Sequence, residues 1–207
     1  MNILAVGAHP DDIEFGCGGA LLQYADKGHQ IFLMTMTDGG VGGEAAVRRQ
    51  EQEASVTFMG AKKVYWGGFH DTHLPEVSLL ISGIERVIRE VAPQMVLVNY
   101  LYDVHQDHRA TAQACLSATR YIQEVLYYEV PTTQHFEPDI FVDIGAVLER
   151  KVELLRRHES QMHRTHVENL SIVESVQSCA NFRGYQGRVK YAEGFKAVRI
   201  LRHIPTP

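Results

Sequence analysis

One imidazole and three carboxylates crowd the short stretch His9-Pro10-Asp11-Asp12-Ile13-Glu14. Acids this close repel one another in a low-dielectric pocket unless a cation compensates them. A helix N-cap accounts for one aspartate, but for neither the second nor His9. A later stretch, His105-Gln106-Asp107-His108, adds two imidazoles and another carboxylate. Together the two offer His9, Asp12 and His108 as a mixed nitrogen and oxygen ligand set. Two histidines and a carboxylate with one position left open hold catalytic zinc, whereas structural zinc is closed by four ligands.

Both stretches follow apolar runs. Ile3-Leu4-Ala5-Val6 reads as the buried part of a parallel strand over about 2–8, and a helix is predicted over 16–27, closed by Gly28. Pro10 fixes its own φ and biases His9 away from helix, so the connection between them is stiff. Residues 30–37 form a second strand, 38–43 a glycine-rich loop, and 44–59 a helix. A short third strand, Val64-Tyr65-Trp66, leads into a loop over 67–71. An amphipathic helix over 77–91 stops before Pro93; a fourth strand covers 95–98 and a helix 109–121. Strands are also expected at 125–128, 140–143 and, as an edge, 197–201, with a helix over 146–158. This alternation predicts one α/β domain over 1–207: a Rossmann-like, doubly wound, mostly parallel sheet with helices on both faces. Strands one and four can be neighbours in such a sheet, which would bring the two histidine stretches together at its C-terminal edge.

A formal net charge of −5 and a pI near 6.1 argue against nucleic acid as a partner. Cys17, Cys115 and Cys179 are far apart and read as reduced thiols of a cytoplasmic protein. No basic leader opens the chain, and no apolar run approaches membrane-spanning length.

The two motifs together resemble the LmbE/PIG-L-type zinc-dependent N-deacetylases. Arg48-Arg49-Gln50-Glu51 is similar to that family's RxxE helix, His158-Glu159-Ser160-Gln161 to its HxSQ stretch, and Tyr191-Ala192-Glu193-Gly194-Phe195 to its YAExF-like stretch. The resemblance implies His9, Asp12 and His108 as ligands of Zn²⁺, with Fe²⁺ or Co²⁺ as alternatives. It implies Asp11 as general base, and His105 as the group that stabilises the oxyanion or protonates the leaving amine, with Asp107 orienting it. The implied substrate is a small N-acylated sugar or glycoconjugate carrying an N-acetylglucosamine-like group, and the implied assembly is a homo-oligomer. Some members carry a tyrosine two residues before the equivalent of His105; here Asp103 stands there.

An acetamide resists attack, so the chemistry requires water made nucleophilic near neutral pH and a donor for the developing oxyanion. His105 would serve as a cation, with Asp107 raising its pKa. Glu14 is expected behind the ligands, fixing their geometry. Arg48 is either an ion-paired helix residue or a substrate contact, and His70 and Asp71 are substrate contacts or loop structure. His158, His163 and His166 are expected at the surface or an interface, and Glu193 paired with an arginine. Two rivals remain: a non-catalytic metal-binding module, and a nucleotide-binding protein suggested by Gly16-Cys17-Gly18-Gly19. The second suffers because its glycines come late and two aspartates would face the phosphates.

Overall fold

A computed structural model describes residues 1–201. Five parallel strands make the body of the sheet: β1 (Asn2–Gly7), β2 (Gln30–Thr37), β3 (Lys63–Phe69), β4 (Met95–Asn99) and β5 (Glu124–Tyr128), in spatial order β3-β2-β1-β4-β5. β6 (Ile140–Asp143) forms the far edge, and β7 (Ala192–Arg199) inserts between β5 and β6, antiparallel to both. Strand residues alternate between two apolar cores, as the period of two requires. Ile3, Ala5, Leu33 and Leu97 face α1 (Asp12–Asp26), α2 (Ala45–Met59) and their neighbours. Leu4, Val6, Met34, Val96 and Val98 face α3 (Val77–Val91) and α4 (Gln106–Ala118). α3 shows why these helices form: Leu80, Ile84, Val87 and Val91 recur at helical spacing and are buried. Each such side chain contributes roughly 1.5–3 kcal/mol by leaving water.

The predicted doubly wound, mostly parallel sheet is therefore present, with β1 beside β4 in parallel register from Ile3 opposite Met95 to Val6 opposite Val98. Several boundaries differ. α1 and α4 begin at Asp12 and Gln106, so each histidine stretch runs into the first turn of a helix. β3 continues through Gly67-Gly68-Phe69, which was expected as loop. A Cβ on Gly67 would come within 2.6 Å of the Met36 carbonyl oxygen, so the glycine permits close approach of β2. The last strand is interior and begins at Ala192, where an edge strand over 197–201 was expected. The helix expected over 146–158 is a 3-10 turn, Gly145–Val147, followed by α5 (Leu148–Arg156). α6 (Ile172–Gly187) was not anticipated, although Ser171 and Glu174 form a capping box legible in the sequence.

Gly16, Gly18 and Gly19 lie inside α1, facing the core. A Cβ on Gly16 would collide with the Tyr128 ring, and one on Gly19 with Ile144. These glycines serve helix packing, and none lies at a phosphate-binding turn. Among the described residues no helix is long and apolar enough to cross a membrane.

Candidate metal centre

β1 and β4 end side by side, and the chain leaves them on opposite faces of the sheet into α1 and α4. That divergence opens the crevice in which this class of sheet places its ligands. Asn99, the last residue of β4, accepts the Ala8 amide at 3.1 Å, tying the two strand ends together. Tyr128 donates to the Val6 carbonyl at 2.8 Å from β5. Asp12 Oδ2 accepts the amides of Ala8 and His9, both at 3.0 Å, which folds the loop back and leaves Oδ1 facing the crevice. Asp11 occupies the N-cap position of α1 but its side chain makes no cap bond, so capping does not explain it.

Donor atoms of three residues gather here. His9 Nδ1 and His108 Nε2 are 3.2 Å apart, Asp12 Oδ1 is 3.3 Å from His108 Nε2, and Asp12 Oδ2 is 3.8 Å from His9 Nδ1. Ligands about 2.0–2.1 Å from a tetrahedral ion stand about 3.3–3.4 Å from one another, which the two separations at His108 Nε2 match, whereas Asp12 meets His9 only through Oδ2, at 3.8 Å. The opposite ring nitrogens agree. His9 Nε2 meets Asp71 Oδ1 at 3.0 Å and Asp107 Oδ2 at 3.2 Å, and His108 Nδ1 meets Asp103 Oδ2 at 3.2 Å. A ring N–H held by a carboxylate leaves its other nitrogen as a lone pair, the usual support of a metal-binding histidine. His105 also lies close, with His9, His105 and His108 grouped within 4.8 Å by their ligand atoms; so are His9, Asp71 and Asp107.

These acids dominate the site's protonation. Burial works against charge on His9, but Asp107, Asp71 and Asp12 outweigh it and raise its pKa to about 9. Burial likewise opposes charge on His108, yet Asp12 and Asp103 push it up to about 10. In return, and despite burial, His108 and His9 hold the Asp12 carboxyl well below the usual range. Asp11, whose side chain keeps 25 % exposure, has its carboxyl raised by burial, partly offset by Arg48.

Several expected roles change. Asp107 does not orient His105 through its carboxylate, which faces His9 and the Thr72 amide at 2.8 Å. It is the Asp107 backbone amide that donates to His105 Nδ1, at 3.2 Å, making His105 the N-cap of α4. The surroundings of His105 also work against the cationic form: burial and the neighbouring His9 and His108 lower its pKa, opposed by Asp107 and Asp12. With Nδ1 accepting, its neutral ring carries the proton on Nε2. Glu14 touches none of the three donors. It is buried on the face of α1 that meets α2, accepts Gln52 and Ser55 at 2.6 Å each, and lies 3.5 Å from His158 Nε2. His158 is accordingly buried and not at the surface, whereas His163 and His166 are exposed. Glu193 pairs with Lys151 at 2.6 Å, not with an arginine, and accepts the Gly19 and Ala20 amides of α1.

Asp71 is a partner of His9, while His70 makes no contact with the cluster and lines a cleft of about 480 Å³ with Asp38, Gly40, Val41, Asp71 and His73. Arg48 is buried, bonded to the Pro10 and Gly39 carbonyls at 2.6 and 2.9 Å and to Asp11 at 3.4 Å. Asp103 and Asn99 were missed as site residues. A polar residue closing an apolar strand was the available signal for Asn99, and an acid five residues before a ligand-like histidine the signal for Asp103.

A doubly wound α/β sheet with histidines and carboxylates gathered at its switch point defines the class: a Rossmann-like fold with a His/Asp cluster at the C-terminal edge of its sheet. Residues 4–119 match the family described as PIG-L: GlcNAc-PI de-N-acetylase, and the chain belongs to that family. An Escherichia coli relative, the uncharacterized deacetylase YaiS, is 36% identical over 77% of this chain and 91% of its own. The diacetylchitobiose deacetylase of Thermococcus kodakarensis is 30% identical over 98% of this chain and 85% of its own. In three dimensions the chain is similar to the N,N'-diacetylchitobiose deacetylase of Pyrococcus horikoshii, solved with an inhibitor: TM-score 0.83, 26% identity, 95% of this chain and 83% of that one. A Pseudomonas putida relative named 4-oxalmesaconate hydratase, 24% identical over 95% of this chain and 89% of its own, carries a different reaction name.

Proposed function

We propose that this protein hydrolyses the N-acetyl group of an N-acetylglucosamine-like sugar or sugar conjugate, releasing acetate and the free amine. The carrying observation is that His9 Nδ1 and Asp12 Oδ1 both lie within 3.3 Å of His108 Nε2, each imidazole backed by a carboxylate. A divalent ion held by those atoms, Zn²⁺ foremost with Fe²⁺ or Co²⁺ as alternatives, would supply Lewis acidity towards an amide carbonyl and lower the pKa of water to roughly 7.

The chain's own residues do the rest. Asp11 stands next to a ligand without being one, and its raised pKa suits a base that takes the proton of the attacking water. The same proton then passes to the leaving nitrogen, so that water is divided between acetate and amine. His105 donates from Nε2 to the oxyanion as it forms, a contribution of roughly 2.7–4 kcal/mol for one such donor. This replaces the cationic role expected of it: a neutral donor needs no proton of its own from solution. Asp71, Asp107 and Asp103 keep the ligand rings in their tautomers. A cytoplasmic setting and a homo-oligomeric assembly belong to the same reading, the latter testable by sedimentation.

The test is a panel of N-acyl sugars, N-acyl amino acids and an unsaturated dicarboxylate, assayed for free amine and for alkene hydration. Amine release from N-acetylated sugars supports the proposal. Hydration without amine release assigns the hydratase reaction in its place.

A further inference from the structure

Asp103 stands two residues before His105 and five before His108, and its carboxylate reaches both. Oδ1 accepts the His105 backbone amide at 2.8 Å, and Oδ2 lies 3.2 Å from His108 Nδ1. The side chain is fully buried, so solvent does not compete for either oxygen. The two imidazole rings stack, with 4.8 Å between centroids and 24° between planes. The Asp107 amide fixes the His105 ring through Nδ1, and the bond to Asp103 fixes the backbone that carries it.

Asp103 is itself held from another part of the chain. The loop after β5 runs antiparallel to it, pairing Asp103 with Thr133 as an isolated bridge. The Val104 amide donates to the Thr132 carbonyl at 3.2 Å, and the Gln134 amide to the Tyr102 carbonyl at 2.9 Å. Thr133 Oγ1 donates to Asp103 Oδ2 at 3.0 Å and accepts the Val130 amide at 2.9 Å, so its hydroxyl is directed from both sides. Thr132 Oγ1, 3.4 Å from His108 Nδ1, is a more distant partner of the same ring.

We propose that Asp103 is a positioning residue that fixes the oxyanion donor His105 relative to the metal-facing His108, and that Thr133 is the latch that keeps its carboxylate in place. A carboxylate has two acceptor oxygens, and here each serves a different histidine. The tautomer of His108 is thus one of two tasks, and the placement of His105 is the other. The proposal rests on the reading of His105 as the group that donates to the oxyanion.

The test uses Asp103→Ala, which removes both oxygens, Thr133→Val, which removes only the latch, and Thr133→Ser, which keeps its hydroxyl. Each is also combined with His105→Ala. All are assayed at saturating metal on the N-acetylated sugar that the wild type hydrolyses best. The proposal expects kcat to fall with KM unchanged, in Asp103→Ala by up to the roughly 10²-fold that a misplacement of about 1 Å costs. Thr133→Val should lose less, and Thr133→Ser should stay close to the wild type. In the His105→Ala background the same replacements should lower kcat little, because the donor they place is gone. A loss of equal size in that background would put the whole effect on the metal ligand and overturn the proposal. Unchanged kcat in Thr133→Val would remove the latch and overturn it as well. If the wild type hydrolyses no N-acetylated sugar, the deacetylase reading fails on its own. Exchange of the His105 amide proton, followed by NMR, still decides the placement: it should quicken in Thr133→Val and not in Thr133→Ser, and an unchanged rate in Thr133→Val refutes it.

Discussion

His9 Nδ1 and His108 Nε2 face each other across 3.2 Å while the far nitrogen of each ring is held by a carboxylate. Two lone pairs pointed together in this way repel unless a proton or a metal ion stands between them. The buried acids Asp12, Asp71, Asp103 and Asp107 supply the negative charge that makes either cation welcome. Protons and metal therefore compete for one place.

Metal binding should release protons at pH 7, because the surrounding acids raise the pKa values of His9 and His108 to about 9 and 10 and the proton between their facing nitrogens must leave. Calorimetric titration of the metal-free protein in buffers of different ionisation enthalpy measures this directly. Affinity should weaken as pH falls below about 9, and a heat independent of buffer would contradict the assignment of these rings.

The same shifts set the stability of the metal-free protein. Both folded-state values lie above the unfolded histidine value of about 6.5, so their contribution is complete below that pH and lost as pH rises towards 9 and 10. Denaturant midpoints of the metal-free form should fall between pH 6.5 and 10, and those of the metal-loaded form should fall less.

Asp103→Asn should weaken metal affinity by roughly 10–100-fold with the fold retained, since it removes the acceptor behind His108 without touching the cleft. Competition with a chromogenic chelator reads this out. Affinity equal to the wild type would show that Asp103 does not set the tautomer of His108.

Asp11→Asn and His105→Ala should both keep the metal and lose turnover, by roughly 10²–10⁴-fold for the base and 10²–10³-fold for the oxyanion donor. The pH profile discriminates further. His105 is neutral at lower pH than a free histidine, so its protonation should affect only the acid side of the profile. A basic limb abolished by His105→Ala would restore the cationic role that its surroundings argue against.

What was legible in the chain is what depends on period and local spacing. Alternating runs such as Ile3–Val6 and Met95–Val98 carry the parallel sheet, and the pairing of β1 with β4 follows from the topology they allow. The facing of His9, Asp12 and His108 follows in turn, because strand ends that pair must bring their loops together. Tertiary partnership was not legible. Asp107 looks like a companion of His105 in sequence, yet the first turn of α4 points its carboxylate at His9, ninety-eight residues away. Glu14 looks like part of the acidic cluster, but the first turn of α1 carries it round to Gln52 and Ser55. α6 was overlooked because its buried residues, Val176, Ala180, Arg183 and Gly184, include a charge and a glycine that blur its apolar stripe.

Gly16→Ala tests the packing beneath the site. The added methyl meets the Tyr128 ring, whose hydroxyl donates to Val6 at the end of β1. Overpacking of this kind costs about 1–3 kcal/mol, readable from denaturant unfolding. Unchanged stability would mean that α1 can shift away from β5 freely.

The central claim is that one metal, held by His9, Asp12 and His108, makes this protein an N-acetyl-sugar deacetylase. Its most direct measurement is amine release from N,N'-diacetylchitobiose and N-acetylglucosamine by metal-stripped protein, titrated back with Zn²⁺, Fe²⁺ or Co²⁺. The account expects no turnover without metal and a linear rise that breaks at about one ion per chain, with His9→Ala and His108→Ala inactive throughout. Full activity in the stripped protein, or in either variant, would contradict it.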